Sequence, residues 1–586
     1  MKIRKNEKTM KKMNVRSYLW ILFMLTMPSL HGMNLSDEIL INHVGYPLKA
    51  TKVCIMAGEK SVPFKVINAQ NSKMAYKGIM QLQKGDFGNY LIGIFSELQT
   101  EGTYVIEVEK KKSSAFRISQ NIYEDAIKKS VTYFSIQRCG PSKTGYAAPC
   151  HLDDGRRLDT GPGWSMKPHR DVSGGWHDAC DYRKWVGSTL YGMIGLCKVA
   201  EIMGPKWNNE QILDELRWGN RYFLNMQNDG GYIMNYCGGD DGMYLTDNII
   251  GTADDRPIHT EPASFAHDET DRTAQFNFIL AESLTAQIFR SSDPEYSKKC
   301  LQAGIRCFEW CEKNFYANQA LELGSALMSY LELYKASNDH QYLEKAVILA
   351  GRLLDLQVQE PIDNIYHIRG FFKTSATDAE PSQQSWQGPQ HIIGLCELYE
   401  TVPNHIDAPK WKEAIRMYCN DYLVKLIEIN NFNLVPVGLY KSENPGGNQK
   451  IGEYRLRYLT VTDNDAFAGG INANIASTGV GFVFASKILH DEKLTAFAQR
   501  QIDWIVGLNP LNASTMEEVG HNQPIRFINT TLKIPPLIPG AVMNGIGGTM
   551  EDKPHLNAGS WQNCEYWTPQ VAHVMWLMAE LQTYLR

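Results

Sequence analysis

The chain has 586 residues, of which 43% are hydrophobic, 21% charged and 11% aromatic, the balance of a folded globular protein rather than a disordered, collagen-like or disulfide-scaffold chain. A formal net charge of -5 and the lack of a long Lys/Arg block in the body exclude the electrostatic footprint of a nucleic-acid binder. At about 150 residues per domain the length allows three or four domains, or fewer large ones.

Residues 1–16 carry seven Lys/Arg and lead into an apolar run from Ser17 to Leu30 that ends near Gly32. A basic stretch followed by an apolar segment of about 14 residues predicts a secretory signal peptide over 1–32. It is too short for a typical membrane span, and no second long apolar stretch is evident. The expected product is secreted or periplasmic, without a membrane span. From about 38 to 118 the apolar pattern has period two in seven short runs separated by Gly, Pro, Asn, Asp and Ser. That pattern predicts a small β-sandwich over 33–119.

At Ile122 the period changes to 3.6, and about twelve apolar-periodic segments follow between 122 and 585. Turns of a few residues, at Ser291 to Asp293 and Ser337 to His340, make neighbouring helices antiparallel. Six hairpins without a detectable repeat predict an (α/α)6 barrel over 120–586, so the chain is mainly α. Cys300, Cys307 and Cys311 fall on one helical stripe and read as small buried hydrophobes. Long loops at about 139–182, 229–269, 358–383, 429–465 and 508–567 interrupt the helices, and loops of that size are usually functional.

Two of these loops carry paired chemistry. Gly174 to Trp185 reads GGWHDACDYRKW, with Asp178 and Asp181 three apart at a helix entry, where both can hold one water and one can take its proton. The alternative is that Asp181 caps the following helix. Near the C-terminus, Glu565 lies between Cys564 and Tyr566-Trp567, before the last helix. Aromatic surroundings raise a carboxyl pKa and keep it protonated, as a general acid requires. The alternative is a first-turn Glu interacting with the helix N-terminus.

GGWHDACDYRKW resembles the GGWxDAGDxxKY motif of glycoside hydrolase family 9, and Ser560 to Leu581 is similar to that family's closing NExxxxYNAxxxxxLAxL segment. Gln137 to Gly140, Gly507 to Pro510 and Asp293 to Tyr296 sit in the family's order, and Ile39 to Pro47, Phe95 to Ser96 and Gly102 to Val105 look like its Ig-like N-terminal domain. The resemblance implies an (α/α)6 barrel and an inverting endo-β-1,4-glucanase, with Asp181 as general base, Asp178 as its partner on the water and Glu565 as general acid. No nucleophilic Ser and no organic cofactor are needed. An inverting pair must stand about 6.5 to 9.5 Å apart to admit the water.

Cys139, Cys150, His151 and His169 form a C-x10-C-H-x17-H set suited to a structural zinc, which some family members with the Ig-like domain hold. A Cys139 to Cys150 disulfide and unlinked thiols are the alternatives. Calcium also occurs in the family, but Asp240, Asp241, Asp247, Asp254 and Asp255 fit no defined calcium spacing and read as a solvated acidic loop. Trp176 and Tyr566 are substrate-binding candidates. The family's Pro-His-x-Arg signature is absent, and His521 and Arg526, in Glu518 to Arg526, are the candidates to replace it. The favoured substrate is a β-1,4-glucan of cellulose-like, xyloglucan or mixed-linkage type. A β-glucosaminide bond, an (α/α)-barrel polysaccharide lyase and a non-catalytic glycan binder are the rival readings.

Overall fold

The computed structural model describes residues 33–145, 148–157, 170–180, 182–205, 207, 209–238, 257–259, 269–383, 388–441, 449–464, 468–527 and 537–586. The expected signal segment, Asp181, His169 and the acidic loop of Asp240, Asp241, Asp247, Asp254 and Asp255 lie outside the described residues.

The period-two region folds into eight strands: β1 (Gly45–Tyr46), β2 (Val53–Ala57), β3 (Val62–Asn68), β4 (Met74–Gly85), β5 (Gly88–Ile94), β6 (Gly102–Val108), β7 (Lys111–Lys112) and β8 (Phe116–Ile118). Alternation sets the faces: in β6, Tyr104, Ile106 and Val108 point inward and are buried. The long strand β4 makes the two layers. Its first half pairs antiparallel with β3 (Val66↔Tyr76) and its second half with β5 (Gln81↔Ile92), so one strand runs through both. One layer continues from β3 through β6 and β8 to β1, and the other from β5 to β2.

Twelve helices follow among the described residues: α1 (Glu124–Ile136), α2 (Val186–Met203), α3 (Asn209–Met226), α4 (Glu269–Phe289), α5 (Pro294–Asn314), α6 (Ala320–Ser337), α7 (His340–Leu354), α8 (Gln390–Thr401), α9 (Ala408–Arg416, prolonged by a π-helical stretch Met417–Leu423), α10 (Asn472–Leu489), α11 (Glu492–Ile505) and α12 (Thr568–Tyr584). A single helical turn, Trp561–Cys564, precedes α12. Helices α2, α4, α6, α8, α10 and α12 each touch the next and close into a ring, and the other six pack outside it. This is the (α/α)6 barrel expected from the periodicity.

Sequence sets inner against outer. The inner helix α10 is buried on every face from Asn472 to Ser486, whereas the outer helix α5 buries only one stripe, Cys300, Ala303, Gly304, Cys307, Phe308 and Cys311. The three cysteines are thus core residues, and they are free thiols. Helix α2 is 18 residues long with a mean hydropathy of 1.2, enough by length and composition to cross a membrane. Its apolarity answers to the barrel interior, where it is an inner helix. Asp caps start three outer helices after their short turns: Asp293, Asp339 and Asp491 accept from the backbone N–H of Tyr296, Gln341 and Lys493.

All six inner helices enter the ring at the end where the long loops gather. At the opposite end each contributes a polar side chain near its C-terminus. Lys198 of α2 pairs with Glu332 of α6 at 3.3 Å and Glu397 of α8 at 3.0 Å. Gln287 of α4 donates to Glu332 at 2.7 Å, and Lys487 of α10 pairs with Glu580 of α12 at 2.9 Å. The β-domain shares one continuous core with the barrel. Tyr90 meets Phe432 edge-on at 4.9 Å, and Asn42 donates to the buried Asp503 at 2.9 Å.

Candidate active site

The loop entering α2 is built on an antiparallel bridge between Arg138 and Trp176. Cys139 N–H donates to Gly175 O and His177 N–H to Gln137 O, each at 2.9 Å, which sets Cys139 beside His177. A second bridge, Gly140 to Cys150, brings in Cys150 and His151. Glycine is required at both corners. Gly140 has φ +88, and a Cβ there would stand 2.6 Å from Gly174 N. Gly175 has φ +73, and its Cβ would meet Tyr222 Cβ at 2.7 Å.

The ligand atoms of Cys139, Cys150, His151 and His177 all lie within 4.8 Å of one another, and all four residues are buried. Cys139 Sγ is 3.6 Å from His151 Nδ1 and 4.0 Å from Cys150 Sγ, and Cys150 Sγ is 3.6 Å from His177 Nε2. A tetrahedral ion with sulfur at about 2.3 Å and nitrogen at about 2.0–2.1 Å spaces its ligands at about 3.8 Å for S···S and about 3.6 Å for S···N. The donor set and its spacing therefore fit a four-coordinate metal. At 4.0 Å the two sulfurs are about twice the length of an S–S bond apart, so no disulfide joins Cys139 to Cys150. Burial pushes the Cys139 thiol up, but the hydrogen bond from Cys150 and the nearby Lys184, His177 and His151 outweigh it and hold Cys139 well below the ordinary thiol range.

The expected fourth ligand was His169, which lies outside the described residues; the described cluster is completed by His177 instead. Its position within the carboxylate motif hid it, because the residue next to a candidate catalytic acid invites a catalytic reading. Behind the cluster, the fully buried Lys184 pairs with the fully buried Asp154 at 2.8 Å and donates to Val172 O at 2.7 Å and Gly174 O at 3.1 Å.

The same loop meets the start of α12. Asp178 is 3% exposed. Its backbone N–H donates to Arg183 O at 2.9 Å, and its carbonyl accepts from Thr568 N–H and Thr568 Oγ1, each at 3.0 Å. Asp178 Oδ2 accepts from Trp567 Nε1 at 2.9 Å and from Ser188 Oγ at 3.2 Å. Glu565 is half-buried in an extended segment just after the turn Trp561–Cys564. Its carbonyl accepts from Asn544 N–H at 2.7 Å, and its Oε1 accepts from Cys180 Sγ at 3.0 Å. Cys180, the neighbour of Asp181 in the chain, thus touches Glu565. Neither the Trp567 nor the Cys180 contact was visible in the sequence.

Three of the four substrate-binding candidates are placed elsewhere. Trp176 is 1% exposed, packs edge-on against Phe134 at 5.0 Å and donates to Glu215 at 3.2 Å, so no face is open to a sugar. Tyr566 is also 1% exposed and lies against Tyr133 at 5.9 Å. His521 sits at the junction of the two domains. Its ring stacks on His43 at 3.4 Å, and its Nε2 is 2.9 Å from Ser114 Oγ. Arg526 faces the Tyr566 ring at 6.0 Å and its Nη1 donates to both oxygens of Glu517, at 2.8 and 3.2 Å, while the next residue, Phe527, donates its N–H to Cys564 O at 3.1 Å.

The profile described as glycosyl hydrolase family 9 matches residues 123–578, and that described as the cellulase N-terminal ig-like domain matches 35–113. The chain is 28% identical over 357 residues to "Endoglucanase D" of Acetivibrio thermocellus, covering 52% of this chain and 53% of that protein. It is 25% identical to "Cellodextrinase" of Butyrivibrio fibrisolvens, covering 54% and 61%. The chain thus spans little more than half the length of these curated relatives. Among solved structures, a metagenome-derived glycoside hydrolase family 9 endoglucanase superposes with a TM-score of 0.68 at 18% identity over 93% of this chain and 99% of that one. "Bacteroides ovatus GH9" superposes with a TM-score of 0.68 at 17% identity over 94% and 100%. At these identities the likeness is one of fold.

Proposed function

The chain belongs to glycosyl hydrolase family 9, and from that premise we propose that it is a secreted, inverting hydrolase of β-1,4-glucosidic bonds in a β-glucan of cellulose-like, xyloglucan or mixed-linkage type. The observation that supports this best is the meeting of two loops far apart in sequence: Asp178 holds Thr568 and Trp567, and Cys180 holds Glu565. These contacts support reading the two loops as the carriers of one acid–base pair.

In this reading Asp181 is the general base. Asp178 shares its water, and the donors Trp567 and Ser188 fix the orientation of the Asp178 carboxylate. Glu565 protonates the glycosidic oxygen as the C1–O bond breaks, and the water attacks C1 from the opposite face, inverting it. Arg526, kept in place by Glu517, is the remaining candidate for holding a sugar hydroxyl. Cys139, Cys150, His151 and His177 would hold zinc with every position closed by protein, so its contribution is to pin the loop that carries Asp178 and Asp181. The basic and apolar N-terminal segment supports secretion.

Proton NMR of fresh digests on a panel of β-glucans tests the reading. An α-anomer appearing first from a β-linked polymer is expected, with activity lost in both Asp181→Asn and Glu565→Gln. A product with a new ultraviolet-absorbing double bond points instead to a lyase, and no product from any glucan points to a binding protein.

A further inference from the structure

At position 180 the family resemblance leads to an expected glycine, and this chain has cysteine. A cysteine there is 1% exposed, and its Sγ is 3.0 Å from Glu565 Oε1. Both partners are fixed through their backbones. The turn carrying Cys180 is closed by Asp178 N–H to Arg183 O and tied to α12 through Thr568, and the Glu565 backbone is held by Asn544 N–H and donates to Trp561 O at 3.3 Å.

We propose that Cys180 is a positioning residue for the general acid: its thiol donates to Glu565 Oε1, so the proton given to the leaving sugar is carried on Oε2. This rests on the hydrolase reading above. A protonated carboxyl has one hydroxyl oxygen and one oxygen that only accepts. A donor on Oε1 makes Oε1 the accepting oxygen and leaves the O–H on Oε2. As the C1–O bond breaks, its electron pair goes to the glycosidic oxygen, which takes the Oε2 proton. The attacking water bonds to C1 and gives its proton to Asp181. After turnover Asp181 loses that proton to solvent and Glu565 regains one. Among the described residues, Asp178 is engaged by Trp567 and Ser188, and Arg526 by Glu517.

Leaving-group dependence separates positioning of an acid from a general structural effect, because a good leaving group needs little protonation. The measurement is kcat/KM for phenyl β-cellobioside divided by that for 2,4-dinitrophenyl β-cellobioside. Cys180→Ala should lower this ratio about tenfold, the scale of one hydrogen bond to a charged or reacting group. Cys180→Ser, which keeps an O–H donor, should stay within about twofold of the native ratio. Cys180→Gly removes the donor without adding bulk and should behave as the alanine variant, which covers a failure of alanine to fold. Equal losses on both substrates, or an unchanged ratio in Ala and Gly, overturn the proposal. If Glu565→Gln is inactive on phenyl cellobioside while Cys180→Ala keeps the native ratio, only this inference fails. If Glu565→Gln stays active on β-glucan, the hydrolase reading itself fails.

Discussion

Trp567 is the clearest single-residue test of how Asp178 is held. Its indole N–H donates to Asp178 Oδ2 at 2.9 Å from the first residues of the segment that leads into α12. Trp567→Phe keeps most of the ring and removes only that donor, while Ser188 Oγ still donates to Oδ2 at 3.2 Å. A hydrogen bond to a charged group is worth about 1.5–3 kcal/mol, so kcat should fall about ten- to a hundredfold with KM little changed, and the melting temperature should move by only a few degrees. An unchanged kcat would mean that the orientation of Asp178 does not limit the reaction. Lys184 is a residue of a different kind, because both it and Asp154 are fully buried. Lys184→Met strands a buried carboxylate and should cost about 3–5 kcal/mol in denaturant unfolding.

Two elements carry predictions of their own. The bridged loop pair around Arg138 and Trp176 gathers all four of the described metal-ligand candidates, so its order should depend on the metal. The purified protein should contain about one zinc per chain by elemental analysis, and a strong chelator should lower the melting temperature. His177→Ala should lose the metal. Retention of zinc in that variant would return the fourth ligand to His169. The ring of charges at the closed end of the barrel is the second element. Lys198 is held well above its ordinary range, because the carboxylates of Glu332 and Glu397 outweigh the burial that works against its charge. Lys198→Met leaves both acids buried with only Lys335 and the Gln287 amide nearby, and about 3 kcal/mol of stability should be lost. These elements also mark what sequence could and could not reveal. The twelve helices were legible because inner helices are apolar all round, outer ones are striped, and Asp293, Asp339 and Asp491 punctuate the turns. The seven expected β-runs were legible for the same reason of period, with only the two-residue β7 added. Trp176 and Tyr566 are buried where a sugar platform was expected, because an aromatic beside a catalytic motif reads alike whether it faces a sugar or the core. What decides for Trp176 is Gly219 of α3, whose missing Cβ leaves the slot that the indole fills. The stacking of His521 on His43 was not legible because His43 is in another domain, and no local pattern announces a contact across that distance.

For the whole molecule, buried titratable groups set how stability depends on pH. Burial lowers His43 and His573 to about 4 and His391 to about 3, while an unfolded histidine titrates near 6.5. Between pH 6.5 and 4 the unfolded chain therefore binds more protons than the folded one, and stability falls as pH drops through that window. Glu332 adds to the loss. Burial raises it, but Lys198 and Lys335 prevail and bring it to about 2. Its contribution is complete above the unfolded value near 4.5 and disappears as pH falls toward 2. Glu282 works in the opposite direction: burial raises it to about 8, so the folded chain keeps a proton that the unfolded chain releases above about 4.5, and stability declines as pH rises toward 8. Asp552, raised to about 6 by burial, has the same sign over a lower range. The three histidines outweigh these two acids between pH 4.5 and 6.5, and of these five groups Glu282 is the one whose slope persists above 6.5. Thermal melts across a pH series should thus peak near pH 6 to 7, drop steeply below about 4.5 and decline gently toward pH 8. Glu282→Gln replaces a buried neutral acid by a neutral amide of the same shape, which should flatten the alkaline decline and leave the acid limb unchanged. If the alkaline limb keeps its slope in that variant, Glu282 is ionised in the fold and the buried acid is not the source of the loss.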